Sequence, residues 1–594
     1  MKRFFIVLLF FLIFFPDFVR ASENVSEFVS EPVSEHIIVV CPQKFYRSLE
    51  SWIKYRSSQG YTIHILLEPF TAQNIKNRIQ ILSEQFSVSA ILLVGKEVIP
   101  SPQIPCRIVQ HFGKESSLAS DDWYADLNND GIADVAIGRF AANTVAELDS
   151  QIQKTIRYET EIQTGIWCRQ FQIVAGISHF SPLLDNVIES TTRYLLTKTI
   201  PESYEIALLH ASWKSPFCPA PVDYQKELFE TVNKSPLFWA YFGHGHPQML
   251  DPFVTPLGSL VTLSVNDFPQ FQCRKSFPIA FLFCCYGGIL DIEPYSLAEK
   301  LIHQPEGPVA VLAASRTTMP YGMSVLGIEI LQEYIKKQNE IVQNKIVQKE
   351  IVQNEIIEQQ NNPPNNCSIK TQQPNNFLTL GSLLRNAKQQ AMSPPKQIAT
   401  KTVPQEQKKT ESKNIRQNQS VRKTLETMAK TFDPFPKQLN DQIADHIAMF
   451  HLFGDPLLRL PVPKKIRLNC SPQIKSGEQL HLEGVLDNSL SEKNGTINIE
   501  LVPAFSRLSM NSLLRDEFRI DEKNRRSNNE EYFRSNYRTV LQYNVLISNG
   551  SFSFDLPIPA TICGEYNIRA FFVSKQEFAI GCIPVSISET SRKP

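Results

Sequence analysis

From about Glu35 onward, short apolar runs alternate with stretches in which apolar residues recur every three or four positions. His36 to Cys41 (HIIVVC) reads as a buried strand; Phe45, Leu49, Trp52 and Ile53 follow at helical spacing, and Gly60 ends that helix. The same alternation continues with Tyr61 to Leu67, a helix from about Thr71 to Gln85, and the strand Ala90 to Val94. Thr144-Val-Ala-Glu147 and Ser296-Leu-Ala-Glu299 each place a hydroxyl three residues before a glutamate, the pattern by which a helix satisfies its first N–H groups. Further strands are predicted at Phe171 to Ile177, Leu237 to Phe242, Ile279 to Phe283 and Val309 to Ala313, with a helix around Asn186 to Thr197. Strands separated by helices of this length predict an α/β fold, a mostly parallel sheet with helices on both faces. His446 to Pro463 is predicted as a helix ending at Gly454 and a short strand that closes the domain, which thus runs from about 36 to 463.

Two regions depart from this pattern. Between about 336 and 422 an Ile-Val-Gln unit repeats every five residues and then gives way to Gln, Asn, Lys and Pro. A five-residue period turns successive apolar pairs about 140° round a helix, so no apolar stripe forms, and the stretch reads as a flexible insertion. Phe377 to Met392 is its exception, with the spacing of one ordered helix. From 464 to 594 the helical period disappears. Alternating segments such as Leu480 to Val485, Thr496 to Leu501, Val545 to Ile547 and Asn567 to Phe572 predict an all-β sandwich.

Composition narrows the function. Lys plus Arg equals Asp plus Glu at 60 each, so no whole-protein field draws the chain to nucleic acid or an anionic membrane. Met1-Lys-Arg3, an apolar run from Phe4 to Phe15 and Ala21 before Ser22 read as a signal peptide over 1–21, with an uncleaved anchor as the other reading. The expected location is therefore secreted or cell-envelope associated, with no membrane span once the signal is removed. Eleven cysteines, an odd number, leave at least one thiol without an intrachain partner, and Cys563 with Cys582 is the pair expected first.

Chemistry concentrates at two strand ends. Tyr241-Phe-Gly-His244-Gly245-His246 puts a histidine between glycines just after a buried strand, and Phe281-Leu-Phe-Cys284-Cys285-Tyr-Gly287-Gly288 does the same with cysteine 41 residues later. In open α/β sheets the carboxyl ends of strands are where ligands bind. A thiol is mostly protonated at neutral pH, and a neighbouring imidazole stabilises the thiolate and later protonates a leaving amine. His244 with Cys285, or with Cys284, is such a dyad, and the backbone at Gly245 and Gly288 is free of side chains beside a developing oxyanion. Either cysteine alone, at the end of an apolar strand, is most often a small buried hydrophobe. A zinc site from His244, His246, Cys284 and Cys285 is another reading, but adjacent strand residues point to opposite faces. No cofactor is required for catalysis.

Asp126, Asn128, Asp130 and Asp134, with Gly131 at the turn, resemble the first part of an EF-hand calcium loop. Its twelfth-position glutamate is missing, so a structural calcium ion and a solvated Asx-rich turn are both open.

Four stretches together resemble the gingipain-type C25 cysteine peptidases: Ser120-Asp-Asp-Trp-Tyr124 with Ile137-Gly-Arg-Phe140, Tyr241-Phe-Gly-His-Gly245, Cys285-Tyr-Gly-Gly288 with Asp291 beyond, and Phe453-Gly-Asp-Pro-Leu457. The resemblance implies a caspase-like α/β domain followed by an immunoglobulin-like sandwich, a Cys–His dyad and a protein or peptide substrate. It also favours Cys285 over Cys284, because Asp291 lies six residues past Cys285. Some relatives carry a histidine-orienting glutamate where Ser178 or His179 stands here, and Ser181 to Asp185 has no clear match to the acidic residue of arginine-specific members. Asp185 is one carboxylate the dyad could borrow, and arginine specificity is not implied. The competing expectations are a sortase-like transpeptidase using the same thioester and a catalytically silent, calcium-stabilised surface protein.

Overall fold

The computed structural model describes residues 35–97, 103–110, 115, 117–176, 199–338, 377–393, 421–431, 433, 435–504 and 514–589. The signal segment, the helix expected at 186–197 and most of the 336–422 insertion lie outside them. Ten strands form one sheet: β1 (Glu35–Val40), β2 (Tyr61–Leu66), β3 (Val88–Val94), β4 (Ala136–Phe140), β5 (Gln170–Ala175), β6 (Glu205–His210), β7 (Phe238–Phe242), β8 (Ile279–Phe283), β9 (Ala310–Ala314) and β10 (Phe450–Phe453). Their order is β2-β1-β3-β4-β10-β9-β8-β7-β5-β6. All neighbours are parallel except β9 and β10. The sheet is therefore two parallel halves running in opposite directions, joined where β10 meets β9.

Burial explains the strand signals. β8 and β9 are buried along their whole length, so each presents an unbroken apolar run, as expected of a sheet covered on both faces. Helices α1 (Tyr46–Ser58), α2 (Ala72–Gln85), α3 (Val145–Thr160) and α4 (Leu297–His303) connect the strands. Both predicted capping boxes form: the Thr144 hydroxyl accepts the Glu147 N–H at 3.2 Å, and Glu299 returns a carboxylate to the Ser296 N–H at 2.8 Å. Within the insertion, α5 (Leu380–Met392) is the expected ordered helix, and Lys388 on it is buried with its ammonium on the Phe450 carbonyl at 2.7 Å.

The expected helix to Gly454 is not what forms. Helix α6 (Leu439–Met449) stops at Met449, and Phe450–Phe453 is a strand. Every residue of β10 is buried, and an apolar run buried on both faces has no period by which strand and helix can be told apart. The strand expected after Gly454 is reduced to a single bridge between Thr379 and Arg459.

The exit of β10 is anchored by a buried carboxylate. Asp455 accepts from Trp52 Nε1 at 2.5 Å and from Arg56 Nη2 at 2.7 Å. The fully buried Arg56 guanidinium also meets Glu159 Oε1 at 2.9 Å. Burial alone would raise the Glu159 carboxyl, but Arg56 beside it holds it below the usual range. A second buried pair, Arg139 with Asp121, binds at 2.6 Å, and Arg139 Nη1 caps the Gly95 carbonyl at 2.8 Å.

The second region holds β11 (Lys464–Cys470), β12 (Gln473–Lys475), β13 (Gln479–Leu486), β14 (Gly495–Pro503), β15 (Leu541–Ile547), β16 (Ser551–Pro557), β17 (Gly564–Val573) and β18 (Phe578–Ser588) in a sandwich-like arrangement. It also carries a helix that periodicity does not reveal, α7 (Glu522–Asn536), capped by Asp521. Only Tyr532 and Asn536 of α7 are buried, so no apolar stripe marks it. The Asn536 side chain accepts from Leu208 N at 2.7 Å and donates to Leu208 O at 3.0 Å, closing part of the exposed edge of β6. Glu500 on β14 receives Arg169 at 2.5 Å and Arg569 at 2.8 Å. The main core likewise extends through Phe571 and Phe578 of the sandwich.

The expected Cys563–Cys582 disulfide is not formed; both are free thiols. Gly564, next to Cys563, lies opposite Ile587, whereas Cys582 lies opposite Arg569. That offset is roughly 20 Å along the strands, against the about 7 Å that a disulfide spans.

Two outcomes are expected for stability. Asp455→Ala leaves Arg56 and the Trp52 N–H buried without their acceptor, and should lower unfolding free energy by about 3–5 kcal/mol in urea titrations. His451 in β10 is buried, with Nε2 donating to the Ala119 carbonyl at 3.0 Å, and burial lowers its pKa to about 4 although Asp121 pulls the other way. The unfolded chain therefore takes the proton first. Stability should fall by about 3 kcal/mol as pH drops from about 6.5 through 4, and His451→Leu should lose that part of the slope whatever its own stability.

Candidate active site

β7 and β8 run in register, with Tyr241 opposite Leu282 and Phe242 opposite Phe283. The Phe242 and Phe283 rings stack with centroids 4.6 Å apart. The pairing carries past the strand ends, where Gly243 N–H donates to the Phe283 carbonyl at 3.2 Å. His244 and Cys285 come at once after it, on neighbouring strand tips at the carboxyl edge of their half-sheet. Adjacent strands lie about 4.8 Å apart, so the register alone brings these two residues into one locality.

The tips also touch. A Cβ on Gly245 would stand 2.7 Å from Cys284 Sγ and 3.0 Å from the Cys285 carbonyl, so only glycine lets the histidine loop settle on the cysteine turn. The buried Tyr241 hydroxyl donates to the His244 carbonyl at 2.8 Å, and the Asp251 N–H reaches the same oxygen at 3.4 Å. The loop is thereby fixed while the His244 ring stays exposed. His246 is exposed too, with Nε2 3.2 Å from Asp251 Oδ1.

The two cysteines have different surroundings. Cys284 is fully buried beneath Gly245 and against Gly287, and burial raises its thiol far above the usual range. Such a sulfur stays protonated and out of reach. Cys285 is half-buried, and its sulfur receives the Thr318 N–H at 3.3 Å with the Thr318 hydroxyl at 3.5 Å. Tyr286 directly after it has φ +58°, a left-handed conformation that costs a residue with a Cβ about 1–2 kcal/mol. Its N–H donates to the Arg316 carbonyl at 3.1 Å and its hydroxyl to Glu115 at 2.5 Å, which hold the turn in place.

Gly288 does not play the part expected of it. Its N–H donates to the Ala314 carbonyl at 2.8 Å and is spent on β9, so it is not open to an oxyanion. A Cβ there would stand 2.8 Å from Ala313 Cβ; the glycine serves close packing instead.

The Asp-rich loop is held by its own hydrogen bonds. Asp126 accepts the N–H groups of Asp130 at 3.1 Å and Gly131 at 3.0 Å; Asn128 accepts that of Asp130 at 2.8 Å; Asp130 accepts that of Ile132 at 2.9 Å; and Asp134 accepts that of Leu127 at 2.7 Å. The side chains thus serve the loop's own backbone. Among the described residues no group of three or more His, Cys, Asp or Glu is placed to hold a metal ion. These bonds are those of an Asx-type turn.

Sequence reading passed over the tip of the third strand, Ser315-Arg-Thr-Thr318 after β9. Arg316 makes a two-point pair with Asp291 at 2.8 and 2.7 Å and lies 3.5 Å from Glu115. The signal was present: a polar cluster directly after the apolar run Val309 to Ala313, as at the other two strand ends. The positions of Ser178, His179 and Asp185 lie outside the described residues.

The model of peptidase family C25 matches residues 30–461, most of the chain. The chain belongs to peptidase family C25. Gingipain R2 of Porphyromonas gingivalis is 24% identical over 303 residues, which cover 47% of this chain and 36% of that relative. Gingipain R1 of Porphyromonas gingivalis is 23% identical over 303 residues, 47% of this chain and 27% of the relative. The chain thus spans about a third of the curated relatives it matches. Among solved structures, the Arg-specific cysteine proteinase gingipain R aligns at a TM-score of 0.46 and 17% identity, covering 94% of this chain and 99% of that one. The C25 match runs through β1 to β10 and ends before the sandwich begins.

For the Asp-rich loop the expected outcome is a lower melting temperature once an acceptor of its backbone N–H groups is removed. Asp126→Ala, which removes the acceptor of the Asp130 and Gly131 N–H groups, should lower it by several degrees.

Proposed function

We propose that this C25 member is a cysteine endopeptidase whose nucleophile is Cys285 and whose acid–base partner is His244. The observation that carries the reading is the half-exposed Cys285 sulfur on the strand tip beside that of His244, with the neighbouring Cys284 shut into the core. Cys285 thiolate attacks the scissile carbonyl carbon, and the oxygen gains charge next to the side-chain-free backbone at Gly245. His244, now carrying the thiol proton, gives it to the leaving amine. A thioester remains. Water, losing a proton to His244, then releases the acid and regenerates the thiol.

Protein or peptide substrates are implied by the family. Export rests on the N-terminal signal pattern, and no helix among the described residues is long and apolar enough to cross a membrane. We read residues 464–594 as the immunoglobulin-like domain that accompanies such peptidases. Transfer to an amine instead of water would use the same thioester, so product analysis with and without an added amine separates hydrolysis from transpeptidation.

The dyad is tested by labelling the mature protein with a peptidyl electrophile selective for cysteine peptidases. Cys285→Ala should abolish labelling, His244→Ala should slow it about 100-fold or more, and Cys284→Ala should retain it. Undiminished labelling in Cys285→Ala would show that another sulfur reacts and would overturn the assignment.

A further inference from the structure

Three strand tips meet at this edge, and only two have a role so far. β9 lies next to β8, and the segment after it, Ser315 to Met319, runs past the Cys285 sulfur. Its polar groups are tied down one by one. The Ser315 hydroxyl donates to the Ala119 carbonyl at 2.8 Å, and Arg316 pairs with Asp291 at 2.8 and 2.7 Å. The Thr317 N–H reaches Glu115 at 3.3 Å. The Met319 N–H donates to His446 Nε2 at 2.9 Å, while His446 Nδ1 donates to the Gln442 carbonyl at 2.5 Å and so leaves Nε2 as an acceptor. Between these anchors Thr318, itself buried, points its N–H at Cys285 Sγ over 3.3 Å, with its hydroxyl 3.5 Å from the same atom.

Resting on the reading of Cys285 as nucleophile, we propose that Thr318 is a catalytic residue that stabilises the Cys285 thiolate through its N–H and hydroxyl, with Arg316 and His446 as positioning residues. A hydrogen bond given to a charged group favours the charged form, and an N–H held at both flanking residues cannot turn away to water when charge appears. In the thiol form the sulfur proton has the Thr318 hydroxyl and carbonyl as acceptors, at 3.5 and 3.9 Å. Once that proton leaves, the hydroxyl rotates from acceptor to donor. The same side chain therefore serves both states. This support comes from a neighbouring strand of the same half-sheet, so it is independent of where the imidazole stands during turnover.

The test is the pH profile of Cys285 alkylation by iodoacetamide, followed on the full mature chain with site occupancy read by peptide mapping. Thr318→Val keeps the N–H and removes the hydroxyl, and it should move the profile midpoint up by roughly half to one pH unit, about a three- to tenfold loss of rate on the acid side. Arg316→Met, which releases the segment from Asp291, should move the midpoint in the same direction. The acid limb of kcat/KM against peptide should shift with it, with KM little changed. A merely structural role would lower the melting temperature and leave both profiles in place; unchanged midpoints in Thr318→Val and Arg316→Met, with Cys285 still alkylated, would overturn the proposal. Absence of Cys285 alkylation in the unsubstituted protein at every pH would instead overturn the choice of nucleophile.

Discussion

The antiparallel junction between β10 and β9 is the constraint on which the rest of this protein depends. Two parallel half-sheets, each wound by its own helices, have no reason to share one plane unless a strand joins them. That strand, Phe450–Phe453, comes from the far end of the domain, after the long insertion. Its exit is locked by Asp455, whose carboxylate gathers Trp52 and Arg56 from the first connecting helix while Arg56 reaches on to Glu159. The beginning, middle and end of the α/β domain are thus tied at one buried point. A buried charged network of this kind adds little net stability over apolar packing, but removing one member leaves the others buried without a partner.

The candidate active-site edge lies beside that junction. Parallel pairing of β9 with β8 and of β8 with β7 sets their three tips in order at one edge of the second half-sheet. Each tip ends in residues whose chemistry differs: a threonine segment, a cysteine turn and a histidine loop. Close backbone approach brings them together, through Gly245 on the cysteine turn and Gly288 against β9. The strain at Tyr286 is held by its own bonds to the Arg316 carbonyl and Glu115. Rigid strands thereby supply the pre-organisation that the proposed Cys–His dyad needs.

The sandwich-like region is more than an appendage. It shares a core with the α/β domain through Phe571 and Phe578, and α7 lends Asn536 to the edge strand β6. An exposed strand edge is a template for unwanted pairing, and here a helix from the second region covers part of it.

Much of this fold is legible in the chain itself. The strand and helix alternation, both capping boxes, the helix inside the insertion and the paired histidine and cysteine strand ends all come from local rules of burial and capping, which act over a few residues. Beyond reach were the identity of β10 as a strand, since a fully buried run carries no period, and α7, whose charged surface hides it. Also hidden were the committed Gly288 N–H, the inward turn of the Asp-rich loop's side chains, and the separation of Cys563 from Cys582, because each depends on which strand lies alongside. The sequence by itself determined that a thiol and an imidazole would end two buried strands. Only the tertiary structure decided that those strands are neighbours, that Cys284 is sealed while Cys285 is open, and that Thr318 from a third strand faces the sulfur, because strand order and register are set by packing between segments far apart in the chain.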